Sequence, residues 1–376
     1  MLKELVKLRH QLHKYPEVSN KEHKTSKRIY DFIKKLNPDE VIHLGQTGLA
    51  FVFVGQRKGK TIMFRAELDA LPITETSGLP YSSKNKNIAH LCGHDGHMAI
   101  LSGLSKKIAQ NRPNKGRVVI LFQPAEEVEQ GARDMVNHPL FKSIQPDYIF
   151  ALHNIPKVEK NTIVIKNGSF AAASKGMTIE LKGETSHAGE PEKGINPAVT
   201  ISEIIRQLKA LINDKNSFKD FTLLTFIYIR MGEISFGTSA GEAKLGITLR
   251  AYENEDMQTL TQKSKEIIKN ICINEKIKYY ISYDEVFPAT VNNEVCVDLI
   301  EKAAKTNNYK LCYTEKPFKW SEDFGYYTEK YKGGFFGLGS GINQPPLHNP
   351  KFDFPDEIIE TGINVFFNIY KNTNLQ

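Results

Sequence analysis

The feature that most constrains the fold is a series of short, wholly apolar runs, each followed within a few residues by polar side chains suited to catalysis. TIMF (61–64) leads to Glu67 and Asp69, VVILF (118–122) leads to an acidic pair, and YIFAL (148–152) leads to a histidine. Strands that are apolar throughout are typical of parallel sheets covered by helices on both faces. Functional residues of such sheets gather beyond the carboxyl ends of the strands. The runs therefore predict an α/β fold, a mixed and mostly parallel sheet sandwiched by helices, with a site at one edge.

The pattern changes after residue 176 into strands and helices in the order β-α-β-β-α-β. The predicted elements are the strand 177–183, the helix 196–211, the strands 223–232 and 243–252, the helix 256–270 and the strand 276–283. This order is that of a ferredoxin-like α+β domain. We therefore predict an inserted lid and dimerisation domain at 177–286, with residues 1–176 and 287–376 forming the catalytic domain.

Two helical regions are predicted in the first domain. Residues 2–36 predict two helices, with a break at Pro16 and a second start near Lys21. Apolar residues recur at helical spacing from Met98 to Ile108. The stretch 92–97 is therefore predicted to be a loop that leads into the N-terminus of a helix.

Composition excludes several classes of function. The net charge of +7 is spread along the chain and is not combined with aromatic residues in a stripe, so nucleic-acid binding is not indicated. No apolar run approaches the roughly 18 residues of a membrane span, and the N-terminus lacks the apolar core of a signal peptide. The four cysteines are irregularly spaced, which is typical of a reducing compartment. We expect a cytoplasmic protein that binds a small molecule and neither nucleic acid nor a membrane.

Cys92 and His94 form a C-x-H pair. On extended backbone both side chains point the same way, and a thiolate with an imidazole suits zinc or a similar metal ion. A buried cysteine beside a helix-capping histidine explains the pair equally well. Asp95 and His97 are predicted to support the ligands by holding ring tautomers and the helix end.

Three further positions extend this candidate metal site. Glu126 and Glu127 follow a strand, and on extended backbone their side chains diverge, so one can bind metal while the other takes a proton from water. A solvated acidic turn is the alternative. His153 ends an apolar run and His348 lies in a proline-containing loop, where a core histidine and an exposed histidine are the ordinary interpretations. Together these residues predict a ligand set for two divalent metal ions.

A cysteine nucleophile is a competing chemistry. Cys92 would then attack the substrate, with His94 or another histidine as its base. Such a site has no use for the Glu126–Glu127 pair or for two further histidines. The metal site uses all of them, and we favour it.

An ordered set of motifs resembles a known family. The motifs are RAELDALP (65–72), HLCGHDGHMA (90–99), FQPAEE (122–127), ALHN (151–154), SHAGEP (186–191), SEDFGYY (321–327) and LHNP (347–350). They resemble the di-metal aminoacylase and carboxypeptidase family, in the amidohydrolase branch that includes hippurate hydrolase, plant auxin-conjugate hydrolases and N-acetyldiaminopimelate deacetylase. The N-terminal RHQLHKYPE (9–17) also resembles that branch, so the resemblance covers nearly the whole chain.

The resemblance implies a role for each matching residue. The implied metal ligands are Cys92, His94, Glu127, His153 and His348. Glu126 is the implied general base, Asp69 orients the site, and His187 of the inserted domain binds the substrate and polarises its scissile carbonyl. The implied cofactors are two divalent ions per chain. Zinc or manganese is preferred, and cobalt or nickel is the second choice. The implied reaction is amide hydrolysis of N-acyl amino acids by a homodimer.

The chain departs from the branch at two places, one next to the metals and one that concerns substrate recognition. Glu67 stands where an aspartate is usual, and the segment 236–250 has Gly, Thr and Ser in place of an Asn-Val-Ile-Pro stretch. Arg250 is retained in this segment and is predicted to bind a substrate carboxylate. A dipeptidase or carboxypeptidase on the same scaffold, acting on dipeptides, and a ligand-binding homologue without catalysis are the alternative functions.

Overall fold

The computed structural model describes residues 1–374, which divide into two compact units. The first unit contains Met1–Phe170, Thr290–Pro317 and the chain from Glu322 onward, and the second contains Ala171–Ala289 and Phe318–Ser321. The boundaries predicted after residues 176 and 286 differ from these by a few residues. The predicted span 287–376 also ends in two residues that lie outside the described part of the chain.

The helices and strands have the following bounds in the described residues. The α-helices are α1 (Leu2–Lys14), α2 (His23–Ile33), α3 (His94–Gln110), α4 (Gly131–Asn137), α5 (Ala198–Asn213), α6 (Asn254–Asn274), α7 (Glu294–Thr306), α8 (Gly325–Thr328) and α9 (Ile359–Asn374). The strands are β1 (Glu40–Leu44), β2 (Gly48–Val54), β3 (Arg57–Glu67), β4 (Lys115–Gln123), β5 (Tyr148–Pro156), β6 (Ile163–Ile165), β7 (Gly168–Ala171), β8 (Ala173–Lys182), β9 (Ser186–His187), β10 (Thr222–Met231), β11 (Thr238–Ser239), β12 (Glu242–Ala251), β13 (Lys278–Phe287), β14 (Thr290–Asn292), β15 (Leu311–Tyr313) and β16 (Lys332–Gly341). Short 3-10 helices span Lys34–Leu36, Pro139–Ile144, Pro191–Lys193, Lys215–Ser217 and Asp356–Ile358.

The main sheet of the first unit is mixed, with a parallel centre. In the described residues its eight strands have the order β1-β2-β4-β3-β5-β16-β6-β15. The central strands β4, β3, β5 and β16 run parallel, whereas β1 and β2 add an antiparallel edge. The three predicted apolar runs lie in β3, β4 and β5, where nearly every side chain from Thr61 onward is buried. The predicted mixed, mostly parallel sheet is confirmed.

A layer of helices that includes α1, α3 and α9 packs together beside this sheet. Gly103 of α3 permits the close approach of both neighbours, since a Cβ there would lie 2.3 Å from Ile363 of α9 and 2.8 Å from Leu5 of α1. The sequence predicts α3 only from Met98, but the helix begins four residues earlier, at His94. The first turn of α3 is polar although it is buried, so apolar periodicity does not detect it. Among the described residues, no helix is both long enough and apolar enough to cross a membrane.

The second unit has the predicted ferredoxin-like arrangement. Its antiparallel sheet has the order β10-β12-β8-β13, and α5 and α6 pack against it. In β8 the buried Met177, Ile179 and Leu181 alternate with more exposed residues, as in a strand with one covered face. This strand begins at Ala173 rather than at 177, which moves the boundary of the unit toward the N-terminus. Residues 318–321 join the unit because the carbonyls of Phe318 and Trp320 accept from the Ala172 amide, at 3.0 and 3.1 Å.

Candidate active site

The carboxyl ends of three parallel strands bring acidic residues and a histidine to one edge of the main sheet. Glu67, the last residue of β3, lies opposite Gln123, the last residue of β4, so the segments that follow leave the sheet side by side. β5 runs parallel to β3 and carries His153. His153 is predicted at the end of its strand, but β5 continues for three more residues, to Pro156.

Gly93 shapes the segment that carries Cys92 and His94. Its backbone φ is 95°, in the left-handed region that favours glycine, and α3 begins at the next residue. A Cβ at Gly93 would lie 2.1 Å from Oδ1 of Asn154, so the two segments could not approach as they do. The extended backbone predicted for 92–94 is therefore wrong. The turn nevertheless brings Cys92 Sγ to 3.3 Å from Nε2 of His153.

Glu126 and Glu127 lie in a turn and not on the extended backbone that the sequence predicts. Ala125 has a φ of 53°, and this left-handed residue turns the chain directly after β4. The two carboxylates consequently converge, since Glu126 Oε2 and Glu127 Oε1 lie 3.8 and 3.9 Å from Nε2 of His94. Their side chains are 8% and 9% exposed, which excludes a solvated acidic turn.

His348 reaches the same cluster from the loop after β16. Its backbone is left-handed, with φ 65°, and its amide donates to the carbonyl of Leu91 at 2.9 Å. The side-chain Nε2 lies 3.7 Å from Oε2 of Glu127, and half of the side chain is exposed. The loop therefore places His348 at the rim of the cluster, beside the segment that contains Cys92.

The converging side chains form overlapping groups of donor atoms that fit divalent metal ions. In each group the donor atoms lie within 4.8 Å of one another, and three of the groups are Cys92, His94 and His153; Cys92, Glu127 and His348; and His94, Glu126 and Glu127. Nε2 of His94 and Oε1 of Glu127 are buried without a hydrogen-bond partner. Buried polar atoms without partners are costly, and a bound cation would satisfy both. The thiolate, imidazole and carboxylate donors suit borderline divalent ions.

Asp69 holds both the histidine and the acidic turn in place. Its Oδ2 accepts from Ser19 Oγ at 2.7 Å and from the amide of Glu127 at 2.9 Å. Its main-chain oxygen lies 2.9 Å from Nδ1 of His94. With the Nδ1 proton donated to that carbonyl, the Nε2 lone pair of His94 is left for a ligand. Burial alone would raise the pKa of Asp69, but hydrogen bonds from His94 and Ser19 outweigh it and lower the pKa.

The cluster concentrates negative charge in a buried place. Burial, followed by the nearby carboxylates of Glu322 and Glu127, raises the pKa of Glu126 well above its usual range. Burial also raises the pKa of Glu127 to about 7, although the charge of His94 opposes the change. The carboxylates in turn outweigh the effect of burial on His94 and raise its pKa to about 10. These groups therefore favour their protonated forms, and a bound divalent ion would compete with those protons.

Glu67 lies behind the donor cluster, where its long side chain reaches His97. Its Oε2 is 2.7 Å from Nδ1 of His97, and its other oxygen pairs with Arg65. Nε2 of His97 lies 2.7 Å from Oδ1 of Asn154, next in the chain to His153. His97 thus links the end of β3 to the strand that carries His153, and its supporting role for the ligands stays a prediction.

A buried ion cluster that the sequence patterns did not single out lies beyond Glu67. Arg65 pairs with Glu322 at 3.0 Å and with Asp323, and all three side chains are at most 1% exposed. Glu322 and Asp323 have oxygens within 4.8 Å of a Glu126 oxygen. Two features of the sequence could have revealed this cluster: an arginine at the end of a buried strand, and two acids in SEDFGYY. Isolated charges in such places need partners of opposite charge.

The second unit contains the two remaining predicted residues. His187 lies in the short strand β9, opposite Thr238 of β11. Its Nδ1 accepts from the Gly189 amide at 3.1 Å. Arg250 of β12 donates from Nη1 to the carbonyl of Lys319 and to Oγ of Ser321, both at 2.9 Å. These contacts within the unit position both side chains.

The chain matches one protein-family model from residue 63 to residue 372, the model of peptidase family M20/M25/M40. The chain belongs to peptidase family M20/M25/M40. The match spans both units, including the strands and loops that carry the donor groups. The family predicted from the ordered motifs is confirmed, and its M20 membership makes the protein an amide-cleaving hydrolase.

Curated relatives align over almost their whole length with this M20 protein. The chain is 32% identical over 365 residues to a hippurate hydrolase of Campylobacter jejuni, with 96% of this chain and 94% of the relative covered. It is 30% identical over 379 residues to an N-acetyldiaminopimelate deacetylase of Bacillus subtilis, with 99% and 100% covered. These M20 relatives therefore lie in the predicted amidohydrolase branch.

Solved structures confirm the M20 fold. A dinuclear metal-binding peptidase of the M20 family from Bacillus subtilis superposes with a TM-score of 0.84 and 26% identity, over 98% of this chain and 97% of that chain. A protein from methicillin-resistant Staphylococcus aureus superposes with a TM-score of 0.91 and 24% identity, over 99% and 96%. The fold predicted from the sequence is thus shared over nearly the whole chain.

Proposed function

We propose that the protein is an N-acyl-amino-acid amidohydrolase, which cleaves an acetyl-, benzoyl- or similarly acylated amino acid to a carboxylate and a free amino acid. The observation that carries the proposal is the set of overlapping donor groups with the carboxylate of Glu126 beside them. The proposed metal ligands are Cys92, His94, Glu127, His153 and His348. The hippurate hydrolase and N-acetyldiaminopimelate deacetylase relatives support this substrate class.

We assign two divalent ions to the donor groups. One ion would be held by Cys92, His94 and His153, and the other by Glu127 and His348 together with Cys92, which belongs to both groups. When bound, such ions polarise a carbonyl and lower the pKa of water. The donors accept zinc, manganese, cobalt and nickel, and we propose zinc or manganese.

Glu126 is the proposed general base and acid. Its Oε2 lies beside His94 and inside the cluster, where it takes a proton from the attacking water. The water oxygen bonds to the amide carbon, the carbon–nitrogen bond breaks, and Glu126 gives the proton to the leaving nitrogen. Burial and the adjacent carboxylates of Glu322 and Glu127 raise the pKa of Glu126, and bound cations beside it would oppose this change.

Asp69 is proposed to orient the reacting groups without touching the substrate. It fixes the imidazole tautomer of His94 and the amide of Glu127 at once. A proposed ligand therefore depends on the main-chain oxygen of Asp69, and the turn that carries the base depends on its carboxylate.

The second unit is proposed to supply substrate contacts. His187, held by the β9–β11 pair, would donate to the scissile carbonyl oxygen, and Arg250 would bind the carboxylate of the amino acid. Both assignments derive from the resemblance of SHAGEP and of the β12 segment to the family. They predict that His187→Ala lowers kcat most, whereas Arg250→Ala raises KM most for carboxylate-bearing substrates.

We also propose a homodimer formed through the second unit. β10 lies at an edge of its sheet, and Ile227, Ile229 and Met231 on it are 58%, 53% and 41% exposed. An apolar edge strand is suited to pair with another chain. Light scattering should give twice the chain mass, and Ile229→Lys should reduce it to that of one chain; a monomeric unmutated protein refutes the proposal.

A cytoplasmic location is proposed from the thiol chemistry. The four cysteines are free, and Cys92 must stay reduced to serve as a ligand. Fractionation of source cells should find the protein with cytoplasmic markers, and recovery with an oxidising compartment would contradict the proposal.

The decisive experiment measures amine release from N-acetyl and N-benzoyl amino acids and from dipeptides. Chelator-stripped protein should be inactive, and zinc or manganese should restore turnover. Glu126→Gln should lower kcat by about 10²–10⁴-fold, the range of general acid–base catalysis, and should keep both ions. Glu129→Gln, a carboxylate in the same turn outside the donor groups, is the matched control and should retain activity.

Two outcomes would overturn the proposal. If Glu126→Gln turns over at the normal rate, Glu126 is not the base. If dipeptides are cleaved far faster than every acylated amino acid, the enzyme is a dipeptidase that uses the same chemistry.

A further inference from the structure

The N-terminal motif RHQLHKYPE (9–17) has no part in the proposed reaction, yet the segment that it opens contacts the site at several points. Ser19 donates to Asp69 at 2.7 Å. The amide of Ala125, directly before the proposed base, donates to Oε1 of Glu22 at 2.9 Å. The segment after α1 therefore supports the carboxylate side of the site.

The most heavily charged of these contacts surrounds Arg9. The Arg9 side chain is fully buried and faces three carboxylates, those of Asp95 at 3.2 Å, Asp353 at 2.7 Å and Asp356 at 2.6 Å. Asp95 adjoins the proposed ligand His94 in α3, and the other two aspartates follow the loop that carries His348. A buried guanidinium restricts the positions of the carboxylates around it, because its own charge would otherwise be left without compensation.

The loop that carries His348 needs to be held on both sides. An L-residue keeps a left-handed backbone such as that of His348, φ 65°, only where its surroundings impose it. On the N-terminal side the His348 amide is bonded to Leu91. On the C-terminal side Asp353 accepts from Arg9 and, at 2.7 Å, from the hydroxyl of Tyr81.

We propose that Arg9 is a positioning residue for His348, acting through Asp353. The inference rests on the metal site of the proposed function and adds to it a role for the N-terminal helix. Arg9 holds the carboxylate that ends the loop, and His348 thereby keeps its side chain at the donor group that it shares with Cys92 and Glu127.

Zinc affinity tests the proposal on the full-length protein, by competition with a chromophoric chelator after metal removal. Arg9→Lys keeps the charge but loses the forked geometry, so it should weaken the binding of one of two zinc ions by about 10–100-fold, the usual effect of a residue behind the ligands. Tyr81→Phe removes only the hydroxyl bonded to Asp353 and should weaken the same ion in the same direction. Tyr370→Phe, which removes a buried hydroxyl bonded to Asn111, is the matched control and should leave both affinities unchanged.

A double variant separates positioning from general stability. In a His348→Ala background, Arg9→Lys should cause no further loss of zinc affinity. A loss as large as in the unmutated background, or unchanged affinity in both Arg9→Lys and Tyr81→Phe, overturns the inference. If Arg9→Lys does not fold, Tyr81→Phe alone decides. If the unmutated protein binds no zinc, manganese, cobalt or nickel, the metal site itself fails, and the inference with it.

Discussion

Gly93→Ala should destabilise the protein by more than its single added methyl group suggests. At φ 95° an alanine costs about 1–2 kcal/mol because its Cβ crowds the backbone. The new Cβ would lie 2.1 Å from Oδ1 of Asn154, which must retreat by about 1.3 Å to reach the 3.4 Å of an ordinary contact. That movement breaks the 2.7 Å contact with His97 and leaves a buried polar atom without its partner, at about 1–3 kcal/mol. The free energy of unfolding should fall by about 2–5 kcal/mol.

Urea unfolding of the metal-free protein measures this loss, and Gly78→Ala provides the matched control. Gly78 also has a positive φ, 73°, but has nothing within 4 Å of its added Cβ, so only the backbone cost of about 1–2 kcal/mol applies. Asn154→Ala removes the obstructing oxygen, and the double variant should lose less than the two single losses added. If Gly93→Ala and Gly78→Ala are equally stable, the close approach of Asn154 has no energetic weight.

Two further predictions concern the residues behind the cluster. Burial alone lowers the pKa of His13, but Asp95 and Glu75 outweigh it and raise the pKa from 6.5 to about 9. The stability from protonated His13 is therefore full below about pH 6.5 and is lost as the pH rises through about 9; His13→Gln should flatten this decline in urea titrations, and an equally steep decline contradicts the assignment. Glu67→Asp withdraws the carboxylate from His97, 2.7 Å away, and should weaken zinc binding by about 10–100-fold in chelator competition. Unchanged affinity would show that the length of Glu67 has no role.

The sequence predicts best where the environment of a segment is uniform. β3, β4 and β5 are covered on both faces, so continuous apolar runs mark them. β8 has one covered face, and alternation marks it equally well. The order of such segments is sufficient to predict both the mixed sheet and the ferredoxin-like unit.

The local backbone of the site is where the sequence patterns fail. The extended backbones predicted at 92–94 and 126–127 are both wrong, because Gly93 and Ala125 adopt left-handed conformations that no pattern of polar and apolar residues encodes. A glycine in the sequence indicates that a left-handed backbone is possible at its position, whereas an alanine does not. The resemblance, and not the local geometry, is what selected Asp69 as an orienting residue.

Buried charges are the other part that the patterns do not indicate. Arg9 and Arg65 are fully buried, although arginine is ordinarily a surface residue and periodicity treats it as one. Their partners Asp353 and Asp323 are distant in the chain, and only the folded backbone brings them together. Pairing over such distances cannot be deduced from spacing in one sequence.

The contact between Arg9 and Asp353 joins residues 344 positions apart, which has a consequence for synthesis on the ribosome. Arg9 leaves the exit tunnel long before Asp353 and stays without this partner until Asp353 has followed. The second unit is nearly contiguous, at Ala171–Ala289, so most of it is available to fold while the loop with His348 is still untranslated. The proposed substrate-binding unit can therefore fold before the metal centre is complete, and the donor group that contains His348 forms only after this loop has been translated.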